Sequence, residues 1–188
     1  GRRALRAEAA RLCLQLGRLA TAERLSRAVL NGLERVLPGD RIGAGAFVDL
    51  AEALLLQGRA PQAQALCERG LPEDVRSAAL VVNLRNTLGK AHLAQGGLDD
   101  ARAAFETNLA EARAARLGRE EAAALINLGV VAHRAGDRDA AVACYREGIA
   151  RCGAGAASCS QARACGDAHW ITPPWSTIRS APSTSSWG

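Results

Sequence analysis

Methionine is absent from all 188 residues, and the chain opens on glycine, so the expectation is a piece of a longer protein or a trimmed chain. Aromatic residues make up only 3%, which rules out a core built on large rings. Lysine occurs once, as Lys90, among 24 basic residues; no folding requirement explains that bias. No run of 18 apolar residues occurs, which excludes a membrane-spanning helix, and no signal peptide is visible. The six cysteines contain no C-x-x-C pair. Zinc sites draw ligands from pairs two to four residues apart, so no metal is expected. Cys13, Cys67 and Cys144 stand singly at positions that read as buried helix faces, and Cys152, Cys159 and Cys165 are six or seven residues apart. Six free thiols in a reducing, cytoplasmic compartment are the expectation. Nucleotide-binding, zinc-protease and hydrolase signatures are all missing, so neither an enzyme nor a cofactor nor a small-molecule substrate is expected.

What is present is Ala and Leu, within an apolar fraction of 48%. Abundant helix formers and few β-branched residues point to an all-α chain. The net charge of +5 is uneven: residues 1–36 hold eight Arg against three Glu. Residues 37–152 are nearly balanced, so the basic excess does not run along the chain as it does on a nucleic-acid-binding face, and nucleic acid is not the expected partner.

The organising feature is a repeat. Gly17, Gly58, Gly96 and Gly136 are separated by 41, 38 and 40 residues. Five residues after each stands an alanine (Ala22, Ala63, Ala101, Ala141) and nine after stand Ser26, Cys67, Phe105 and Tyr145. Seven before each stand the small residues Ala10, Ala51, Gly89 and Gly129. Apolar or small residues at three- and four-residue spacing on both sides indicate a helix, a glycine stop and a second helix. Small residues flanking the turn allow close approach, with Phe105 or Tyr145 filling the space beside them. Asp99 and Asp137 stand near helix starts, where a carboxylate can accept free backbone N–H groups. The spacing predicts helices over 3–16, 19–36, 44–57, 60–71, 74–95, 98–116, 119–135 and 138–152, with Pro38, Pro61 and Pro72 between helices or in a first turn.

The stretch Leu88-Gly89-Lys90-Ala91-His92 with Gly96, Ala101 and Phe105 resembles the tetratricopeptide repeat signature, and Leu128-Gly129 with Gly136-Asp137, Ala141 and Tyr145 resembles it again. The period near 40 is similar to that of the longer-helix variety found in kinesin light chains and bacterial regulatory proteins. The resemblance implies a right-handed α-solenoid of four antiparallel helix pairs over residues 1–152, with repeats at about 3–36, 44–72, 74–117 and 119–152. After Cys152 the register is lost. The tail 153–188, rich in Gly, Ala, Ser, Thr and Pro, is expected to be irregular, either a natural linker or the product of an altered reading frame.

The resemblance also implies a protein-interaction scaffold, with a partner peptide or helix bound in a concave groove lined by the first helix of each pair. Glu8, Arg11, Val48, Asp49 and Glu52 would contribute from the first two repeats, and Ile126 from the fourth. The expected binding residues are Asn83, Asn86 and Lys90 of the third repeat with Asn127, Val130 and His133 of the fourth. Amides can satisfy a partner's backbone and a lysine can meet a carboxylate; helix packing is the competing role, above all for Asn127. An alternative is a regulatory segment of a larger signalling enzyme or transcriptional activator. Ends without a polar capping helix would allow self-association.

Overall fold

The computed structural model describes residues 1–31, 40–70 and 78–156. Eight helices follow one another: α1 (Arg2–Gln15), α2 (Leu19–Leu30), α3 (Arg41–Leu56), α4 (Ala60–Gly70), α5 (Ala78–Ala94), α6 (Leu98–Ala114), α7 (Gly118–Arg134) and α8 (Arg138–Ala156). No strand occurs among the described residues. These helices fall where the periodicity places them. The second helix is shorter than the expected 19–36, since α2 stops at Leu30 with Asn31 in a left-handed cap. The expected start of the fifth helix, with Pro38 and Pro72, lies outside the described residues, as does the tail beyond Ala156; α8 runs four residues past Cys152, into the stretch expected to be irregular.

Gly17, Gly58, Gly96 and Gly136 have φ between +70° and +86°, the left-handed conformation that glycine enters without a Cβ clash. Each turn is a Schellman stop. Arg18, Arg59, Gly97 and Asp137, the residues after these glycines, donate their backbone N–H to the carbonyls of Cys13, Leu54, His92 and Ala132. Between the third and fourth repeats the chain turns at Arg116, which has φ +55°. Of the two anticipated caps, Asp137 accepts from the Ala140 N–H at 3.0 Å, whereas Asp99 makes no cap bond and acts on its helix start through charge alone. Asp40, which the pattern did not mark, caps α3 by accepting from Gly43 and also pairs with Arg3.

Every helix packs on its sequence neighbours. The first helices of the pairs also pack in succession, α1 on α3, α3 on α5 and α5 on α7, whereas the backbones of α2, α4, α6 and α8 stay apart from one another, α6 and α8 meeting through the long side chains of Arg113 and Glu147, an ion pair at 2.8 Å. An array whose odd helices are close and whose even helices are splayed curves toward the odd ones. The molecule is therefore an α-solenoid with α1, α3, α5 and α7 on its concave side.

Inside each hairpin two positions are matched in size. Ala10 and Ala51, seven residues before the turn glycine, go with the small Ser26 and Cys67 nine after it; Gly89 and Gly129 go with Phe105 and Tyr145. A Cβ on Gly89 would stand 2.6 Å from the Phe105 ring, and one on Gly129 would stand 2.6 Å from the Tyr145 ring. The glycine thus makes room for the aromatic, at a helix-propensity cost of about 1 kcal/mol.

Three outcomes follow for thermal or chemical unfolding. Gly89→Ala should lower stability by about 1–2 kcal/mol, because overpacking outweighs the gain in propensity. Gly129→Ala should lower it less, since Tyr145 is only half-buried and can shift while Phe105 is fully buried. Arg116→Gly should raise stability by about 0.5–1 kcal/mol by relieving the left-handed backbone; a lower melting temperature would contradict this account of the turn.

Candidate partner-binding groove

The concave side carries a groove of about 390 Å³ that crosses all four odd helices. Its lining repeats with the chain. Two and three residues before the turn glycine come Leu14 and Gln15, Leu55 and Leu56, Leu93 and Ala94, and then Arg134; six before come Glu52, Lys90 and Val130; Asn127 stands nine before. The floor is aliphatic, interrupted by a few polar groups.

Along the concave side, polar groups in and beside the groove pair across the repeats. Arg11 Nε of α1 lies 3.7 Å from Asp49 Oδ2 of α3. Lys90 Nζ of α5 lies 3.3 Å from Glu52 Oε1 of α3. Asn127 of α7 donates through Nδ2 to Asn86 Oδ1 of α5 at 2.7 Å, and Arg134 donates to the Leu93 carbonyl at 3.0 Å. Each junction along the concave side thus holds a polar rung.

Burial perturbs two of these groups. Lys90 is 8% exposed, and desolvation pushes its ammonium below the ordinary lysine range while the Glu52 carboxylate works against that. Asp49 is pushed up to about 6, first by burial and further by the neighbouring Glu52 and Glu8 carboxylates, against the pull of Arg11. Its Oδ2 accepts no hydrogen bond, because the Arg11 ion pair is too long to be one. Cys67 is fully buried and its thiol is pushed up to about 12 by desolvation, which makes it a packing group rather than a nucleophile. Cys13, Cys67 and Cys144 are free thiols.

Of the residues expected to bind, Lys90, Asn127 and Val130 line the groove, and Asn86 lies against it through its bond to Asn127. Asn83 and His133 lie on the same helices but outside the lining. The carboxylate opposite Lys90 is the chain's own Glu52. Sequence reasoning passed over the aliphatic row Leu14, Leu55, Leu56 and Leu93. Its signal was there, as an apolar residue two or three positions ahead of each of the first three turn glycines.

Two tetratricopeptide repeat family models match the chain, one over residues 80–153 and one over 44–69. The chain belongs to the tetratricopeptide repeat family. No curated protein matches it. Repeats of this family are generally protein-interaction modules and typically not catalytic. Among the described residues no group of His, Cys, Asp and Glu could hold a metal ion, and no helix is long and apolar enough to cross a membrane.

Asp49 has a pH signature. An acid whose folded pKa is raised binds more protons folded than unfolded, so its stability contribution is complete below the unfolded value near 3.8 and is lost as pH rises through about 6. Each pKa unit is about 1.4 kcal/mol, so ionised Asp49 costs on the order of 2–3 kcal/mol. Asp49→Asn should therefore be more stable than the parent at pH 7.5, with the gap shrinking by roughly 2 kcal/mol by pH 4 in parallel urea melts. A gap independent of pH would show that Asp49 is not perturbed.

Proposed function

We propose that the chain is a scaffold that holds a peptide or helix of a partner protein in the concave groove, centred on Asn86, Lys90, Asn127 and Val130, with Asn83 and His133 at its margin. The observation that carries this reading is the groove itself. An aliphatic floor interrupted by polar side chains suits an apolar side-chain row from a partner, and the paired amides of Asn86 and Asn127 offer donors and acceptors to its backbone. The reading assigns no small-molecule substrate and no chemical step. The free thiols fit a reducing compartment such as the cytoplasm.

Selection of binding peptides from a random displayed library provides the test. Val130→Asp places a charge on the half-buried floor and should weaken a selected peptide at least tenfold, and Asn86→Ala should weaken it several-fold, with helicity by circular dichroism unchanged. Arg146→Glu, on the exposed side of α8, should leave affinity within twofold. Loss of binding with Arg146→Glu and none with Val130→Asp would move the site off the groove.

A further inference from the structure

The large apolar side chains that remain exposed among the described residues are Leu5, Leu12, Leu16, Ile42, Val142 and Ile149. All but Ile42 lie on the first and last helices or at the cap of the first. Leu5 and Leu12 of α1 and its C-cap Leu16 fall within one narrow stripe. In α8, Val142 and Ile149 are two turns apart on one side.

The repeat register says what those stripes are. Leu5 stands twelve residues before its turn glycine, and the residues at that position in later repeats, Ala46, Leu84 and Ala124, are all 0% exposed. Leu12 stands five before, and its counterparts Ala53, Ala91 and Val131 are again 0% exposed. Leu5 and Leu12 themselves are 72% and 51% exposed. They occupy the face that every later repeat covers with its predecessor. At the other end, Ile149 stands thirteen after its glycine, where Leu30 of the first repeat is buried in one cluster with Ala46 and Phe47 of the second.

The contacts at internal junctions also predict which end positions would meet. The residue six after one turn glycine bonds the residue just before the next: Gln57 donates to Glu23 at 3.0 Å, and Gln95 donates to Gln64 at 2.8 Å. At the two ends the same positions are Val142 and Leu16. Where the first two internal junctions join polar to polar, and the third places Arg102 and Ala135 at these positions, the two ends present apolar to apolar. Leu30 against Ala46 becomes, in the same register, Ile149 against Leu5.

The geometry points to a second copy of this chain as the occupant of both ends: the outer face of α8 docks on the outer face of α1 of the next copy, with Val142 against Leu16 and Ile149 against Leu5, and the solenoid continues across the junction. The contact is heterologous, head to tail, so it does not close at a dimer but extends with concentration. It leaves the concave groove of each copy open, and a partner segment could then run across more than four repeats.

Sedimentation velocity of the full chain tests this over about a hundredfold range of concentration. The weight-average mass should rise with concentration and pass beyond the dimer. Leu5→Glu/Leu16→Glu and Val142→Glu/Ile149→Glu should each stay monomeric with helicity unchanged. Their equimolar mixture retains one intact face on each partner and should form a dimer and nothing larger. If a double variant loses helicity, Leu16→Gln and Val142→Gln replace it, since other repeats carry glutamine at those positions, and each should weaken association several-fold. A parent monomeric at every concentration would overturn the proposal and leave these faces to another segment or another protein. So would association that survives either double variant, or a mixture that stays monomeric.

Discussion

No hairpin in this chain can bury its own apolar surface, and the rest of the structure depends on each one lending a face to the next. The largest apolar cluster takes residues from α2, α3, α4 and α5, and a second spans α5, α6 and α7. The positions that make this work are small: alanines on α3, α5 and α7 let the helices of the preceding repeat come close. Near-absence of aromatics is the compositional counterpart. Close helix approach leaves room for few rings, and Phe47 and Phe105 are each fully buried where the packing opens.

The polar rungs on the concave side stand in a different relation to stability. Desolvating Lys90 and Glu52 costs free energy that their attraction in the interior recovers only in part, so an aliphatic pair of similar volume would hold the helices about as well. What the ion pair supplies is register. Sliding α5 by one turn along α3 would leave a buried ammonium away from its carboxylate, at a cost of several kcal/mol. The Asn86–Asn127 bond acts in the same way at the next junction. Asp49 is the rung that is not fully satisfied, and its raised pKa is the visible result.

Helix pairing and the turns between paired helices were legible in the sequence because they are decided locally. A glycine that must take positive φ, with small residues at fixed distances from it, writes the hairpin into about 35 residues. Rungs between repeats were not legible in the same way, since Glu52 and Lys90 are 38 positions apart and meet only when the register of stacking is known. Placing both six residues before their glycines would have given the hint. Arg116 carries no turn signal at all, because an arginine at positive φ is imposed by the helices on either side. Lys90, Asn127 and Val130 line the groove while Asn83 and His133 lie on the same helices outside its lining, because helix identity alone does not say which side of a helix a neighbour covers.

The size matching of Gly89 with Phe105, of Gly129 with Tyr145, and of alanine with Ser26 or Cys67 constrains how such a gene can be rearranged. A recombination joint at the turn glycine would set Ala51 against Phe105 and force a clash, or Gly89 against Cys67 and leave a void. A joint in the segment between repeats keeps each matched pair together. The hairpin, rather than the single helix, is the smallest piece of this chain that can be copied, lost or exchanged without repacking its interior.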